Sequence, residues 1–413
     1  MNLYLLYIDP GTGSALFSIL LAVAAALYFF LRALILKLKV VFSGRKKTVK
    51  NYQGETRYPY VIYNEGKQYC NVFKPVVEQF EKNKKPLLYL TSFLDDFILK
   101  SSWNYVKAEY IGEGNKAFAY LNFLSADFVL MTTPGLNVYQ LKRSKMVKHY
   151  SHILHSVTDS TRYRMFALDY FDSVLLTGDY HGRDIRFLEK LRSLPEKVLF
   201  TVGCTYLDVF AEKIKNIRQE ENQPFTVLIS PSWGVSALLS RYGEKLLEPL
   251  AASNWRIIIR PHPQSKISEA SMLENIEARY KNCSNIIWDY ETDNIYSLAK
   301  ADIMISDFSG IIFDFMFLRD KPVLYVNYDF DPTPYDADDL DHELWQFKAI
   351  KEAGIEIKEN DLPNIIEIIK NCNDNESLTM ARKTARQTAW QNIGEAGERT
   401  YNFMIETVEG NLK

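Results

Sequence analysis

Cysteine is scarce in this sequence. The four in 413 residues, Cys70, Cys204, Cys283 and Cys372, lie far apart and form no Cys-x-x-Cys pair. That spacing argues against a disulfide framework or a cysteine zinc site and suits a reducing compartment. The glycine-rich stretch Asp9–Ser14 lacks the Gly-Lys-Ser/Thr ending of a phosphate loop, and no Gly-x-Ser-x-Gly elbow is present. Both absences count against P-loop nucleotide hydrolysis and serine-hydrolase chemistry. No internal repeat or low-complexity tract is visible, so the chain is neither a solenoid nor a disordered tail. An excess of charge is missing too: the net is −2. Residues 1–50 hold seven cations (Arg32, Lys37, Lys39, Arg45, Lys46, Lys47, Lys50) against Asp9, or +6, which leaves −8 for residues 51–413. An acidic body is a poor match for a nucleic-acid backbone, so no nucleic-acid partner is expected.

What is abundant is apolar and aromatic material, 47% and 14% of the chain. A chain of this length implies two compact domains with an appendage. From Gly11 to Leu31 no residue is charged, and Ala15–Leu31 is almost wholly apolar. Such a run spans roughly 30 Å as a helix, the thickness of a bilayer's hydrocarbon core. No basic stretch precedes it, as a secretory signal would require. All the nearby cations follow it, which places its C-terminal side in the cytoplasm. The expectation is a single-pass anchor (residues 1–42) in a bacterial cytoplasmic membrane, N-terminus outside, with a basic linker at 43–58. Membrane lipid is then a partner.

The body alternates short apolar runs with amphipathic stretches. Tyr60–Tyr63, Pro86–Ser92 and Asp172–Thr177 read as strands, with a helix over Val72–Phe80. In the second half, Phe225–Ile229, Trp255–Arg260, Asn285–Trp288, Asp302–Ser306 and Pro322–Val326 alternate with helical patterns such as Val235–Ala252. This is the pattern of βαβ units and a parallel sheet. Helices are expected at Leu362–Lys370, Ser377–Trp390 and Ala396–Val408. The predicted fold is α/β: two Rossmann-like domains, residues 59–222 and 223–413, the second carrying the C-terminal helices, preceded by one transmembrane helix.

Ligands of such folds bind at the carboxyl ends of the strands. Three polar segments sit there: Ser230–Gly234, Arg260-Pro261-His262-Pro263, and Ser306–Gly310 followed by a helix. Parallel strands end on one edge, so the three should meet at one cleft. Ser309 is placed as helix N-cap, and Gly310 lets a ligand approach the backbone. The free first-turn amides then suit a phosphate. Two prolines flank His262, which reads as an acid or base near neutrality, and Arg260 is placed to face a phosphate or carboxylate. His149, His152 and His155 are spaced i, i+3, i+6, a spacing that presents all three to one ion on neither a helix nor a strand, so zinc is rejected. His181 and His342 read as surface residues, and the acid-rich Asp331–Glu343 as a solvated loop, not a calcium site.

The second half resembles the CDP-glycerol glycerophosphotransferase family, the polymerases and primases of teichoic acids and related capsule polymers. The resemblance rests on Ile229–Trp233 (ISPSW), Ile259–Pro263 (IRPHP), Ala301–Phe315 (ADIMISDFSGIIFDF), Lys321–Tyr325 (KPVLY) and Gly394–Thr400 (GEAGERT). It implies a GT-B type transferase with its donor in the C-terminal domain and no cofactor or metal. In the first half, Tyr150–Ser156 (YSHILHS) aligns His155 with the family's Trp-His-Gly histidine, with Leu154 and Ser156 replacing Trp and Gly. Gly234 stands where members often have Arg. The implied reaction moves a polyol phosphate, most simply glycerol phosphate, from a CDP-activated donor to a hydroxyl of a membrane-linked acceptor, releasing CMP. His155 would be the base. His262 and Arg260 would contact the diphosphate or protonate the leaving group. Asp307, Ser232, Ser309 and Gly310 complete the expected donor site. Asp314 would either meet a ribose or polyol hydroxyl or only solvate its helix. Two other readings stay open: a UDP-sugar glycosyltransferase or epimerase on the same fold, and a membrane-tethered binding module without catalysis.

Overall fold

Runs of Val, Ile, Leu and Tyr fold into two all-parallel sheets. The structure, a computed structural model, describes residues 57–218, 223–291, 293–328, 330–372 and 375–410. The apolar run at Gly11–Leu31 and the expected membrane anchor lie outside the described residues. Among the described residues no helix is long and apolar enough to cross a membrane.

The first sheet holds β1 (Tyr58–Asn64), β2 (Leu87–Thr91), β3 (Val106–Tyr110), β4 (Ala126–Met131), β5 (Val147–Ile153), β6 (Ser173–Leu176) and β7 (Val198–Thr201), in the order β3-β2-β1-β4-β5-β6-β7. The second holds β8 (Thr226–Ile229), β9 (Arg256–Ile259), β10 (Ile286–Trp288), β11 (Ile303–Ser306), β12 (Val323–Tyr325) and β13 (Ile355–Glu356), in the order β10-β9-β8-β11-β12-β13. Continuous apolar runs arise because both faces are covered: Val227, Leu228, Ile229, Ile303, Met304 and Ile305 are fully buried. In each sheet the order reverses once, between β1 and β4 and between β8 and β11. Crevices open at such switch points, outside the carboxyl ends of the strands.

Helices cover the sheets. On the first lies α1 (Cys70–Lys82), which buries Val72, Phe73, Val76, Val77 and Phe80 at helical spacing. The helices α2 (His181–Leu191) and α3 (Thr205–Lys215) follow β6 and β7. One face of the second sheet takes α4 (Leu238–Ala251) and α5 (Ala270–Tyr280). The other takes α6 (Ile311–Arg319), α7 (Trp345–Ala353) and α8 (Glu376–Ala389).

The last helix, α9 (Ala396–Glu409), departs from the expected grouping. It returns to the first sheet, where Tyr401, Phe403 and Met404 join Tyr60, Phe80 and Phe128 in one core. Amphipathic spacing reveals a buried face but not its partner. Gly397 permits the crossing, because a Cβ there would lie 2.5 Å from Pro75 Cβ in α1.

Two surface expectations also change. His181 is buried, its Nε2 3.0 Å from Thr177 Oγ1, and burial pushes its pKa down to about 3. The acid-rich loop docks on the first half. Arg192 reaches Asp336 at 2.6 Å, Asp339 at 2.7 Å and Asp169 at 2.8 Å, and Asp336 also accepts the amides of Phe166 and Ala167. His342 lies 2.9 Å from Asp184 on α2. These acids are compensated by a nearly buried guanidinium, which residue types alone do not disclose.

Candidate active site at the facing strand ends

The loops after β8, β9 and β11 are tied to one another. The buried Asp307 carboxylate accepts the amides of Ser232 at 2.9 Å, Leu238 at 2.8 Å and Ser309 at 3.2 Å. Burial raises its pKa, and these amides oppose the rise. Ser306 Oγ donates to the Ser230 carbonyl at 2.5 Å. On the other side, Glu269 accepts the Gly234 amide at 3.2 Å, joining the loop after β8 to the start of α5. Its electrostatic field partly offsets the downward push that burial exerts on the His262 pKa.

A small, open pocket lies beside the β8–β11 switch point. The second half lines it with Asp307, Phe308, Ser309 and Gly310, with the β12 end Tyr325–Tyr328, and with Gln346, Phe347 and Ile350 of α7. The first half contributes Thr158 and Arg162 from the loop after β5. A Cβ at Gly310 would lie 3.4 Å from Thr158 Cγ2, so the two halves nearly touch here.

The expected site residues divide. Ser309 and Gly310 line the pocket, but the N-cap is Gly310, not Ser309. The Asp307 side chain captures the Ser309 amide in a tight turn, and the helix starts one residue later, with Phe313 N bonded to Gly310 O at 3.1 Å. Asp307 and Ser232 spend their contacts on holding this turn, through carboxylate and amide respectively. Arg260 is directed elsewhere: it pairs with Asp289 at 2.7 Å and donates to the Glu291 carbonyl at 2.5 Å. Strand position predicted the rim, but not the acids supplied by the neighbouring β10 end. Asp314 faces Tyr206 of α3, whose hydroxyl donates at 3.4 Å, and is not among the pocket's lining. Burial pushes its pKa up to about 7.

His262 is half-buried across from Trp233, ring centroids 6.3 Å apart, and does not line the pocket that holds Ser309. Its Nδ1 accepts the Gln264 amide at 3.1 Å, so a neutral ring carries its proton on Nε2 and can donate it. His155 follows β5, with Nδ1 3.2 Å from Tyr163 Oη and its ring against Tyr69. Burial lowers its pKa to about 4, which keeps the imidazole neutral at pH 7. The other two histidines of that run are separated from it. His149 stacks on Phe128 and meets Ser173 Oγ at 2.8 Å, whereas His152 is fully buried between Tyr163 and Phe171. Sequence reading missed Thr158, Arg162, Glu269 and the Asn327–Tyr328 strand end. Of these, only the last had a signal, its place directly after the Lys321–Tyr325 run.

Two facing parallel sheets, each with a crevice at its switch point, define a GT-B-like fold. Residues 211–406 match the family described as CDP-Glycerol:Poly(glycerophosphate) glycerophosphotransferase. No curated protein matches the sequence. Among solved structures, the wall teichoic acid polymerase TagF is similar at 15% identity and TM-score 0.55, over 86% of this chain and 90% of that one. The UDP-GlcNAc 2-epimerase of Methanocaldococcus jannaschii is similar at 13% identity and TM-score 0.55, over 85% and 99%. At such identities the structural likeness establishes the fold.

Proposed function

We propose that the protein transfers a polyol phosphate, most simply glycerol phosphate, from a CDP-activated donor to an acceptor hydroxyl, releasing CMP, in the synthesis of a cell-surface polymer. The family of residues 211–406 supports this chemistry, and a variant of TagF has been solved after soaking with CDPG. The observation that carries the reading is the pocket at the β8–β11 switch point, floored by the Ser309–Gly310 turn and covered by the loop that follows His155.

In-line displacement at phosphorus needs a base at the acceptor hydroxyl and donors around the phosphoryl oxygens. His155 is the base. Donation of Nδ1–H to Tyr163 Oη leaves the Nε2 lone pair to take the hydroxyl proton. His262, which carries its proton on Nε2 but stands outside the pocket's lining, is the acid proposed for the departing CMP oxygen, a role that requires the donor to extend beyond the pocket toward Trp233. The amides at the start of α6 hold phosphoryl oxygens. The apolar and basic N-terminal sequence supports a membrane-linked acceptor and an active site at the cytoplasmic membrane face.

The test is incubation of the full-length protein with CDP-glycerol, other CDP-alcohols and UDP-sugars in the presence of membrane extract, following CMP or UDP release. CMP release from one CDP-alcohol is expected, with His155→Ala and His262→Ala each slower by about 10²–10⁴-fold. Turnover of UDP-sugars alone, or nucleotide binding without release, would overturn the reading.

A further inference from the structure

The pocket beside the Ser309–Gly310 turn has two charged residues in its lining, Asp307 and Arg162. The Asp307 carboxylate is turned back on the amides of Ser232, Leu238 and Ser309. That leaves the Arg162 guanidinium as the charge available to a ligand. Arg260, which the sequence offered for this task, is engaged by Asp289 and Glu291. Arg162 lies over the Phe330 ring, 5.8 Å from its centroid, and among the described residues no carboxylate is paired with it. An unpaired, half-buried cation beside an apolar wall attracts an anion more strongly than one in open water.

Its mounting is stiff. Arg162 sits in a short turn, Ser160–Arg162, and its amide donates to the Asp159 carbonyl at 3.1 Å. The Asp159 carboxylate in turn accepts the amides of Trp345 at 3.2 Å and Gln346 at 2.8 Å, at the start of α7. The loop that carries Arg162 is thus fastened to the half of the molecule whose turn it faces. Thr158, in the same loop, approaches Gly310 from the same side.

We propose that Arg162 supplies the cation that holds the donor's diphosphate at the Ser309–Gly310 turn, so that the two halves of the molecule grip the nucleotide together. This rests on the transferase reading for the donor's identity but not for its charge. A guanidinium presents paired N–H donors to phosphate oxygens, and the turn offers backbone amides from the opposite side. Donor binding therefore draws on both halves, and nucleotides without a diphosphate lose the contribution of the first.

The experiment is calorimetric titration of the full-length wild type, Arg162→Ala, Arg162→Gln and Arg162→Lys with CDP, cytidine and inorganic pyrophosphate, with thermal midpoints as the folding control. Arg162→Ala and Arg162→Gln are expected to weaken CDP and pyrophosphate by about 10–100-fold, with cytidine unchanged and Arg162→Lys intermediate. Folded Ala and Gln variants that bind CDP as tightly as the wild type overturn the inference, as does a wild type that binds neither CDP nor pyrophosphate. Loss of pyrophosphate binding in the variants, combined with no turnover of CDP-glycerol by the wild type, upholds the inference and removes the transferase reading. Normal turnover with an unchanged KM in Arg162→Ala does the reverse.

Discussion

The carboxyl rims of the two sheets are built differently. On the second sheet, successive loops of a few residues each bond directly to one another, with Asp307 and Glu269 as the fasteners. On the first, the rim near β5 is an aromatic enclosure, in which Tyr69 and Tyr163 surround His155 and His152 is sealed beneath. One rim is pinned by charge-assisted bonds from backbone amides to carboxylates, the other by packing. The first arrangement fixes backbone amides where an anion would sit. The second removes water from an imidazole and keeps it neutral. A transferase needs both conditions, and here each half supplies one.

The sharpest way to break this division is at Asp307. Removing its carboxylate by Asp307→Ala orphans the amides of Ser232, Leu238 and Ser309, with an expected loss of at least about 3 kcal/mol of folding stability. Asp307→Asn keeps the shape and one acceptor oxygen, and should lose less. Denaturant unfolding of both variants checks the order. Equal losses would mean that the amides find other partners and that the pinning is dispensable.

The contrast also explains what the sequence could convey. The β8, β9 and β11 runs and their polar ends are contiguous, so Ser230–Gly234, Arg260–Pro263 and Ser306–Gly310 stood out by spacing alone. That they share one edge follows from β9, β8 and β11 being neighbours in a parallel sheet, but only the Ser306–Gly310 segment lines the pocket. What could not be read was the direction of a side chain. Arg260 and Asp289 are 29 residues apart, and nothing local signals that they pair. Arg162 stands in a loop with no recognisable spacing, and only the fold brings it to Gly310. The return of α9 to the first sheet was hidden for the same reason: the partner of an amphipathic face is set by tertiary structure.

A second test lies where the halves meet away from the pocket. Asp314 on α6 is buried against Tyr206 on α3, with its pKa raised by burial to about 7. Between the unfolded value near 3.8 and about 7, the folded protein holds a proton that the unfolded chain has released, so this group's contribution to stability falls as pH rises through that window and is level above it. Asp314→Asn has no proton to lose. Its stability relative to the wild type should therefore increase from pH 5 to pH 8, by roughly 1–3 kcal/mol. Melting curves of the two proteins at both pH values check this. Parallel behaviour would mean that water reaches the carboxylate and that this contact between the halves is open.

The smallest expected effect on folding sharpens the comparison most, because it falls where the two rims touch. Gly310 has ordinary helical backbone angles, φ −61° and ψ −19°, so its conformation does not require glycine. A methyl there would stand 3.4 Å from Thr158 Cγ2, an ordinary contact distance, and Gly310→Ala should change folding stability by no more than about 0.5 kcal/mol. The same methyl would occupy the gap between the loop bearing Arg162 and the first amides of α6. If that gap is where a diphosphate is held, calorimetry should show weaker CDP binding at an unaltered melting temperature. Unchanged affinity would place the anion elsewhere along the rim and leave Gly310 as an ordinary helix start. A loss of affinity without a loss of stability would show that the closeness of the two halves serves the ligand and not the fold.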